Sequence, residues 1–200
     1  LIDTAGSNNL NSILFIDNSG SNSLTNSGTI QAETTGNYGQ AITIEETNLF
    51  EITNLSGGII KVTDSALNSV ALRITTGGSV NTITNNGTIS AVGTTHSRGI
   101  LSISTATIDR LTNTGTISAS GASNSNYGIV FWNNSGTSIT NSGTIQGIGG
   151  SYGYGIRIGE SGNISSITNS GTIKGSKDGI ANSNTITSII NTGTITGTSG

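Results

Sequence analysis

The heptapeptide "ITNSGTI" at residues 139–145 recurs along the chain in close variants, and this repetition decides the expected fold. The variants read "LTNSGTI" at 24–30, "ITNNGTI" at 83–89, "LTNTGTI" at 111–117, "ITNSGTI" at 167–173 and "INTGTI" at 190–195. From Gly28 to Gly171, successive motif glycines lie 28 to 30 residues apart, and Gly193 follows after 22. A fixed period in this range is typical of a solenoid or a propeller.

The composition favours a folded, mostly β protein. Only 8% of the 200 residues are charged, Pro is absent, and Ile, Thr and Val are plentiful, whereas disordered chains are usually highly charged and poor in β-branched residues. The absence of Cys excludes disulfides and thiolate metal sites. A net charge of −3 without a basic run argues against a nucleic-acid partner. The apolar runs are far shorter than the roughly 20 residues of a membrane span.

Each repeat contains about three short strands. In "LTNSGTIQA" at 24–32, alternation directs Leu24, Ile30 and Ala32 to one face, with a corner at Asn-Ser-Gly between two strands. An apolar pair spaced by three residues precedes each corner, as in Ile164 and Ile167, and a strand of the type "GIRI" at 155–158 follows it. Propeller blades need about 40 residues per repeat, which this period does not supply.

Strands this short cannot form a sheet within one coil, so each coil must pair with the coils above and below it. The sequence therefore predicts an all-β, right-handed parallel β-helix (β-solenoid) with about seven coils. We expect residues 1–200 to form a single β-solenoid segment. Because the chain starts at Leu1 without a leader-like stretch, we also expect it to be an internal part of a longer repeat protein.

The recurring Asn and Gly of the motif are interpreted as a structural ladder. Stacked Asn amides can hydrogen-bond from coil to coil, and Gly allows either a positive φ or a close backbone approach at the corner. The corner asparagines are Asn26, Asn85, Asn113, Asn141, Asn169 and Asn191. The motif glycines are Gly28, Gly58, Gly87, Gly115, Gly143, Gly171 and Gly193.

The second coil departs from the pattern. Its "LSGGII" at 55–60 matches "ITNNGTI" with one residue deleted, which places Ser56 or Gly57 at the Asn position and Ile59 at the outward Thr position. The sequence therefore predicts a break in the Asn ladder at this coil.

At "ITNSGTI" the chain resembles the passenger regions of bacterial autotransporters and related surface proteins, whose β-helical stalks carry repeats of this wording. The resemblance covers about residues 10–197, and the motif marks architecture rather than activity. It implies export, a β-helix displayed outside the cell, and a separate C-terminal barrel. We therefore expect a non-catalytic structural or adhesive surface module at the bacterial cell surface. Its possible partners are a host or self surface, protein or glycan, and other copies joined end to end.

The alternative is a carbohydrate-active β-helix enzyme of the lyase or hydrolase type. Such sites place several carboxylates on adjacent coils of one face, but the ten acids here are scattered. Glu45 and Glu46 are interpreted as solvated turn residues, and His96, the only His, as a polar loop residue. No catalytic residue, metal ligand or cofactor-binding motif is therefore predicted.

Aromatic residues offer the possible ligand contacts. Two readings stay open for the tyrosines: they cover the edge of the core beneath a loop, or they contact a sugar or protein. Trp132 is expected to point outward or to lie in the turn after buried Phe131. We expect residues 147–154 to form a loop that projects from the wall, the stacked strands of the β-helix. We expect ligand contacts to fall on an edge formed by residues 33–40, 92–98, 120–127 and 147–154. The tyrosines are Tyr38, Tyr127, Tyr152 and Tyr154.

Overall fold

The computed structural model describes residues 1–6, 10–16, 22–64, 67–122, 124–133 and 136–198. Within these residues the chain forms strands and turns only, and every strand pairs with its neighbours in parallel. The strands stack into three sheets, with one strand of each sheet per coil. The predicted all-β parallel solenoid with three strands per coil is confirmed. The described residues contain no helix that could span a membrane.

Sheet 1 begins each coil after the Asn-Gly corner, sheet 2 carries the "GIxI" segment, and sheet 3 leads back to the next corner. Sheet 1 consists of β1 (Ile2–Gly6), β4 (Thr29–Thr34), β7 (Ile59–Asp64), β10 (Thr88–Gly93), β13 (Thr116–Gly121), β16 (Thr144–Ile148), β19 (Thr172–Gly175) and β23 (Thr194–Gly197). Sheet 2 consists of β2 (Leu10–Ile16), β5 (Tyr38–Glu45), β8 (Asn68–Thr75), β11 (His96–Ser102), β14 (Ser125–Phe131), β17 (Tyr152–Ile158) and β20 (Asp178–Asn182). Sheet 3 consists of β3 (Asn22–Asn26), β6 (Asn48–Asn54), β9 (Ser79–Asn85), β12 (Thr107–Asn113), β15 (Thr137–Asn141), β18 (Asn163–Asn169), β21 (Thr185–Ile186) and β22 (Ile189–Asn191).

The main core is a column of aliphatic side chains that all three sheets contribute. In the third coil, for example, Ile89 of sheet 1, Ile100 of sheet 2 and Ile108 of sheet 3 are fully buried. The alternation predicted around the first corner is confirmed, because Ile30 and Ala32 are buried and Leu24 packs against the core. Burial of this column is the main hydrophobic stabilisation of the stack.

The corner asparagines form a continuous ladder in the interior. The Nδ2 group of Asn85 donates to Asn113 Oδ1 at 2.7 Å, and Asn113 Nδ2 donates to Asn141 Oδ1 at the same distance. Equivalent bonds run from Asn141 to Asn169 and from Asn169 to Asn191. These residues are buried except Asn191, which is exposed at the end of the stack. Each amide therefore satisfies its neighbour where water cannot reach.

The predicted break at the second coil is wrong. Asn54, not Ser56 or Gly57, occupies the ladder position: Asn26 Nδ2 donates to Asn54 Oδ1 at 2.9 Å, and Asn54 Nδ2 donates to Asn85 Oδ1 at 2.8 Å. The coil has a corner longer by two residues, because residues 55–58 lie between Asn54 and the next strand. Ile59 does replace the outward Thr, in register with Thr88.

Close packing, not a positive φ, explains the motif glycines. None of them lies in the positive-φ region, where the structure places glycines of other turns such as Gly57 and Gly77. A Cβ at Gly115 would instead overlap the carbonyl oxygen of Gly87, one coil below, and the overlap repeats up the stack. Gly28 is the exception, since a Cβ there would meet nothing within 4 Å. The positive-φ alternative is therefore wrong and the close-approach alternative is confirmed.

The segment 147–154 belongs mostly to the wall, and its prediction as a projecting loop is wrong. Residues 147 and 148 end β16, Tyr152 begins β17, and only residues 149–151 form a turn. The Gly149 carbonyl accepts a hydrogen bond of 2.8 Å from Asn126 Nδ2, which fixes the turn to the neighbouring coil.

Candidate ligand-binding groove

Outward side chains of sheet 2 come three residues apart, with a small residue and an inward-facing aliphatic residue between them. The small residue is Ser12, Ala41 or Ala71 in the first three strands and Gly in the later ones. In β11, Arg98 and Leu101 belong to the outer face, while Gly99 and Ile100 between them pack inward. A Cβ on Gly99 would press against the Gly128 carbonyl oxygen and the Ile117 side chain. Gly99 therefore allows the close approach of sheets 1 and 2 in its own coil, whereas Ala41 and Ala71 fill the same position in earlier coils.

This geometry aligns the outward side chains into two columns along the rod. The first column is Asn11, Gln40, Val70, Arg98, Tyr127, Tyr154 and Asp178. The second column is Leu14, Thr43, Arg73, Leu101, Val130, Arg157 and Ala181. Parallel in-register pairing alone places residues about 28 positions apart side by side, about 4.8 Å from each other.

The C-terminal half of this face is closed by stacked aromatic rings and cations. The rings of Tyr127 and Tyr154 stack with centroids 5.5 Å apart, and both residues are only 8% exposed. The Arg157 guanidinium lies 5.8 Å from the ring centroids of both Trp132 and Tyr154. Lys177 Nζ lies 4.7 Å from the Tyr152 ring. Tyr127 and Tyr154 belong to a second apolar cluster with Val70, Leu101 and Val130, separate from the main core.

The N-terminal half of the same face is open and forms a groove of about 490 Å³. Its aromatic sides are Tyr38, which is 46% exposed, and Trp132. Val70 contributes an apolar part of the floor, and Arg73 and Arg98 contribute two guanidinium groups. We refer to this depression as the sheet 2 groove.

The two arginines of the groove have few partners among the described residues. Among the described side chains, no carboxylate lies within salt-bridge distance of Arg73 or Arg98, although Glu45 also lines the groove. Arg98 makes a long contact of 3.5 Å with Asn68 Oδ1, lies 5.9 Å from the Tyr127 ring centroid, and has a buried Nε without a hydrogen-bond partner. Burial lowers the pKa of Arg98, yet a guanidinium stays charged at neutral pH.

A polar network extends the groove toward the first coil. The Thr43 hydroxyl is buried and lies 2.6 Å from both Asn11 Oδ1 and Gln40 Oε1. A hydroxyl carries one proton and donates to one of these oxygens, so the NH₂ group of that amide stays available as a donor. The groove therefore combines amide donors, cations and aromatic rings in one depression.

His96 lies beside the groove in the strand that carries Arg98. Burial and the nearby Arg98 charge both lower the pKa of His96, and its Nδ1 atom is buried without a partner. His96 belongs to β11 rather than to a loop, so its interpretation as a loop residue is wrong.

The structure separates the aromatic residues that the sequence grouped together. Tyr38 and Tyr152 occupy one register column at the starts of their strands, whereas Tyr127 and Tyr154 occupy the next outward column. Tyr127 and Tyr154 are buried in the second apolar cluster, whereas Tyr38 and Tyr152 are exposed. Trp132 does lie in the turn after fully buried Phe131. Of the predicted contact residues, the groove brings Tyr38 and Trp132 together.

The sequence analysis considered clustered acids and aromatic residues as site candidates. It therefore did not predict Arg73, Arg98 or Asn68. The signal was present in the period, because Arg98 precedes Tyr127 by 29 residues and Arg73 precedes Leu101 by 28. An isolated Arg in each repeat becomes a cationic patch only after the coils stack.

The acidic residues do not form a comparable cluster in the part of the chain that the structure describes. No group of three His, Cys, Asp or Glu side chains there could hold a metal ion. Glu45 and Glu46 lie where sheet 2 turns toward sheet 3, and Glu46 is exposed with a φ of 51°. The interpretation as a solvated turn residue is confirmed for Glu46, whereas it is wrong for Glu45, which ends β5 and is half-buried.

No protein-family model, curated protein or solved structure matches the chain.

Proposed function

We propose that this chain is a non-catalytic structural and adhesive module, a rigid β-helical stalk segment of an exported bacterial surface protein. The proposed location is extracellular or on the bacterial cell surface. Its partners are a surface of a host or of the same organism, contacted through the sheet 2 groove, and further copies that stack end to end through open sheet edges.

The observation that carries the stalk role is the uninterrupted stacking of all three sheets. The Asn ladder continues from Asn26 to Asn191 without a gap, even where the second corner is longer. Each coil contacts mainly its two neighbours, so length is added without changing the cross-section. Such a scaffold supports a role based on length and rigidity.

A surface-display experiment tests this role. The chain, with an N-terminal epitope tag, is placed between a secretion leader and an outer-membrane barrel in a bacterial host. We expect the tag at the cell surface and a segment that resists added protease. A variant with one residue inserted after Thr144, which turns Ile145 away from the core, is the matched control and should be digested. Equal digestion of both chains would contradict the stalk proposal.

The carbohydrate-active enzyme stays the alternative and is tested separately. Purified protein is incubated with acidic and neutral polysaccharides, and new chain ends are counted. The adhesive proposal expects binding without shortening of the polymer, whereas turnover-dependent shortening would favour the enzyme.

A further inference from the structure

We propose that the sheet 2 groove binds an acidic glycan through the carboxylate of a uronic acid unit. This inference specifies the ligand of the adhesive role proposed above and rests on that part of it, not on the stalk role.

Charge is the first reason. The chain has a net charge of −3, yet four of its seven Lys and Arg residues lie on the outer face of sheet 2 or in its adjoining turn. These four residues are Arg73, Arg98, Arg157 and Lys177. The last two are engaged with aromatic rings in the closed half. Arg73 and Arg98 line the open groove, and Arg98 also lies 5.9 Å from the Tyr127 ring centroid. A guanidinium group matches a planar carboxylate with two parallel hydrogen bonds.

The remaining lining fits a sugar ring with many hydroxyl groups. Tyr38 and Trp132 supply rings with an apolar face and a polar atom, the combination that often contacts partly wet ligands. Asn11, Gln40 and Asn68 supply amides that both donate and accept hydrogen bonds, as a hydroxyl requires. A volume of about 490 Å³ lies within the usual range for small-molecule sites.

Other anionic partners fit less well. A nucleic acid gains affinity by neutralising many phosphates along its backbone, but the described lining of the groove offers two guanidinium groups and also contains Glu45. An acidic peptide would use the arginines, but it offers the lining amides of Asn11, Gln40 and Asn68 fewer hydroxyl groups than a glycan does. A glycan uses both groups of residues.

Isothermal titration calorimetry tests the proposal with three uronate hexamers: galacturonate, mannuronate and a glucuronate-containing hexamer. The neutral control is each hexamer after reduction of its carboxyl groups to alcohols. We expect at least one acidic hexamer to bind and its reduced form to bind about tenfold more weakly or worse. Added salt should weaken binding of the acidic form.

Matched variants assign the binding to the groove. Arg73→Gln and Arg98→Gln should each weaken binding by about tenfold or more, whereas Arg110→Gln, which removes an exposed cation from sheet 3, should leave it unchanged. Tyr38→Ala should weaken binding, and Tyr152→Ala is its control, since Tyr152 shares the register column and is similarly exposed at 44%. Melting curves establish that every variant is folded.

Several results would overturn the proposal. One is the absence of binding to all three hexamers at millimolar concentration. Another is equal affinity for the acidic and the reduced hexamers. A third is a loss of affinity in Arg110→Gln as large as that in the groove variants. Tighter binding of an aspartate-rich peptide or of a sulfated sugar without carboxylate would also overturn it. Since the melting curves report the stack independently, loss of glycan binding with an intact fold would leave the stalk proposal standing.

Discussion

At the scale of single residues, the corner asparagines show how a polar side chain can belong to a core. The Nδ2 group of Asn141 lies 2.7 Å from Asn169 Oδ1 and 3.2 Å from the carbonyl oxygens of Gly143 and Thr172. It therefore links its own corner to the following coil. Since a buried amide without partners is costly, the ladder favours one register of stacking over all others.

Replacing one internal member of the ladder should destabilise the fold. Asn141→Ala leaves Asn113 Nδ2 without its side-chain acceptor and Asn169 Oδ1 without its donor, and should lower the free energy of unfolding by about 1 to 3 kcal/mol. Asn191→Ala is the matched control, because the same motif residue is exposed there and water can replace its bonds. Denaturant unfolding of both variants measures the difference. Equal losses would mean that burial of the amide is not what makes the ladder important.

The dependence of folding stability on pH, below neutral pH, should report on the protonation of His96. Burial and Arg98 lower the pKa of His96 in the folded state, so the unfolded chain binds a proton more readily. Stability is therefore complete above the ordinary value of 6.5 and decreases as the pH falls from there toward the folded pKa. His96→Gln should reduce the decrease in melting temperature between about pH 7 and about pH 5. Identical profiles for the two proteins would refute this assignment.

At the scale of strands and turns, the period and the alternation were enough to predict the wall. The apolar residues on either side of the corner point inward as expected. Side chains alternate between the two faces of a strand, and only the apolar set can face an interior that excludes water. The prediction for the second coil was wrong because "LSGGII" at 55–60 was aligned with one residue deleted from the motif. In the structure the corner of this coil is instead two residues longer. The sequence "EITN" at 51–54 contains the ladder Asn, and its register with Asn85 was the available signal.

The groove could not be predicted in the same way. Its residues are spread over five successive coils of the stack. Alternation alone assigns every second residue to one face, whereas the outward residues of sheet 2 are three apart. The columns of sheet 2 therefore follow from the close approach of sheets 1 and 2, which a single repeat does not display.

Two one-residue insertions should separate wall from turn within one coil. An insertion after Thr144 reverses the inward face of β16 and should lower the melting temperature strongly. An insertion between Gly150 and Ser151 falls in the turn, where Gly149 and Gly150 already have positive φ values of 79° and 65°, and should cost less. Thermal melting compares the two variants with the parent chain. Damage of the same size from both would show that the turn is as constrained as the strand.

At the scale of the whole molecule, in-register stacking is the central claim, because both the rod and the groove depend on it. Each residue of a column must lie directly above its counterpart in the coil below, at the spacing of neighbouring β-strands. One outward column of sheet 1 runs the length of the stack and consists of Asp3, Gln31, Lys61, Ser90, Ser118, Gln146, Lys174 and Thr196.

Spin-label distances along this column test the claim most directly. The chain contains no Cys, so cysteines introduced in pairs at Gln31 and Lys174, or at Gln31 and Thr196, can be labelled selectively. The first pair is separated by five strand spacings and the second by six, which predicts distances of about 24 Å and about 29 Å in pulsed electron paramagnetic resonance. Narrow distributions that lengthen by one strand spacing between the two pairs are the predicted result. Broad distributions, or distances that do not increase with the number of coils, would contradict the stacked solenoid.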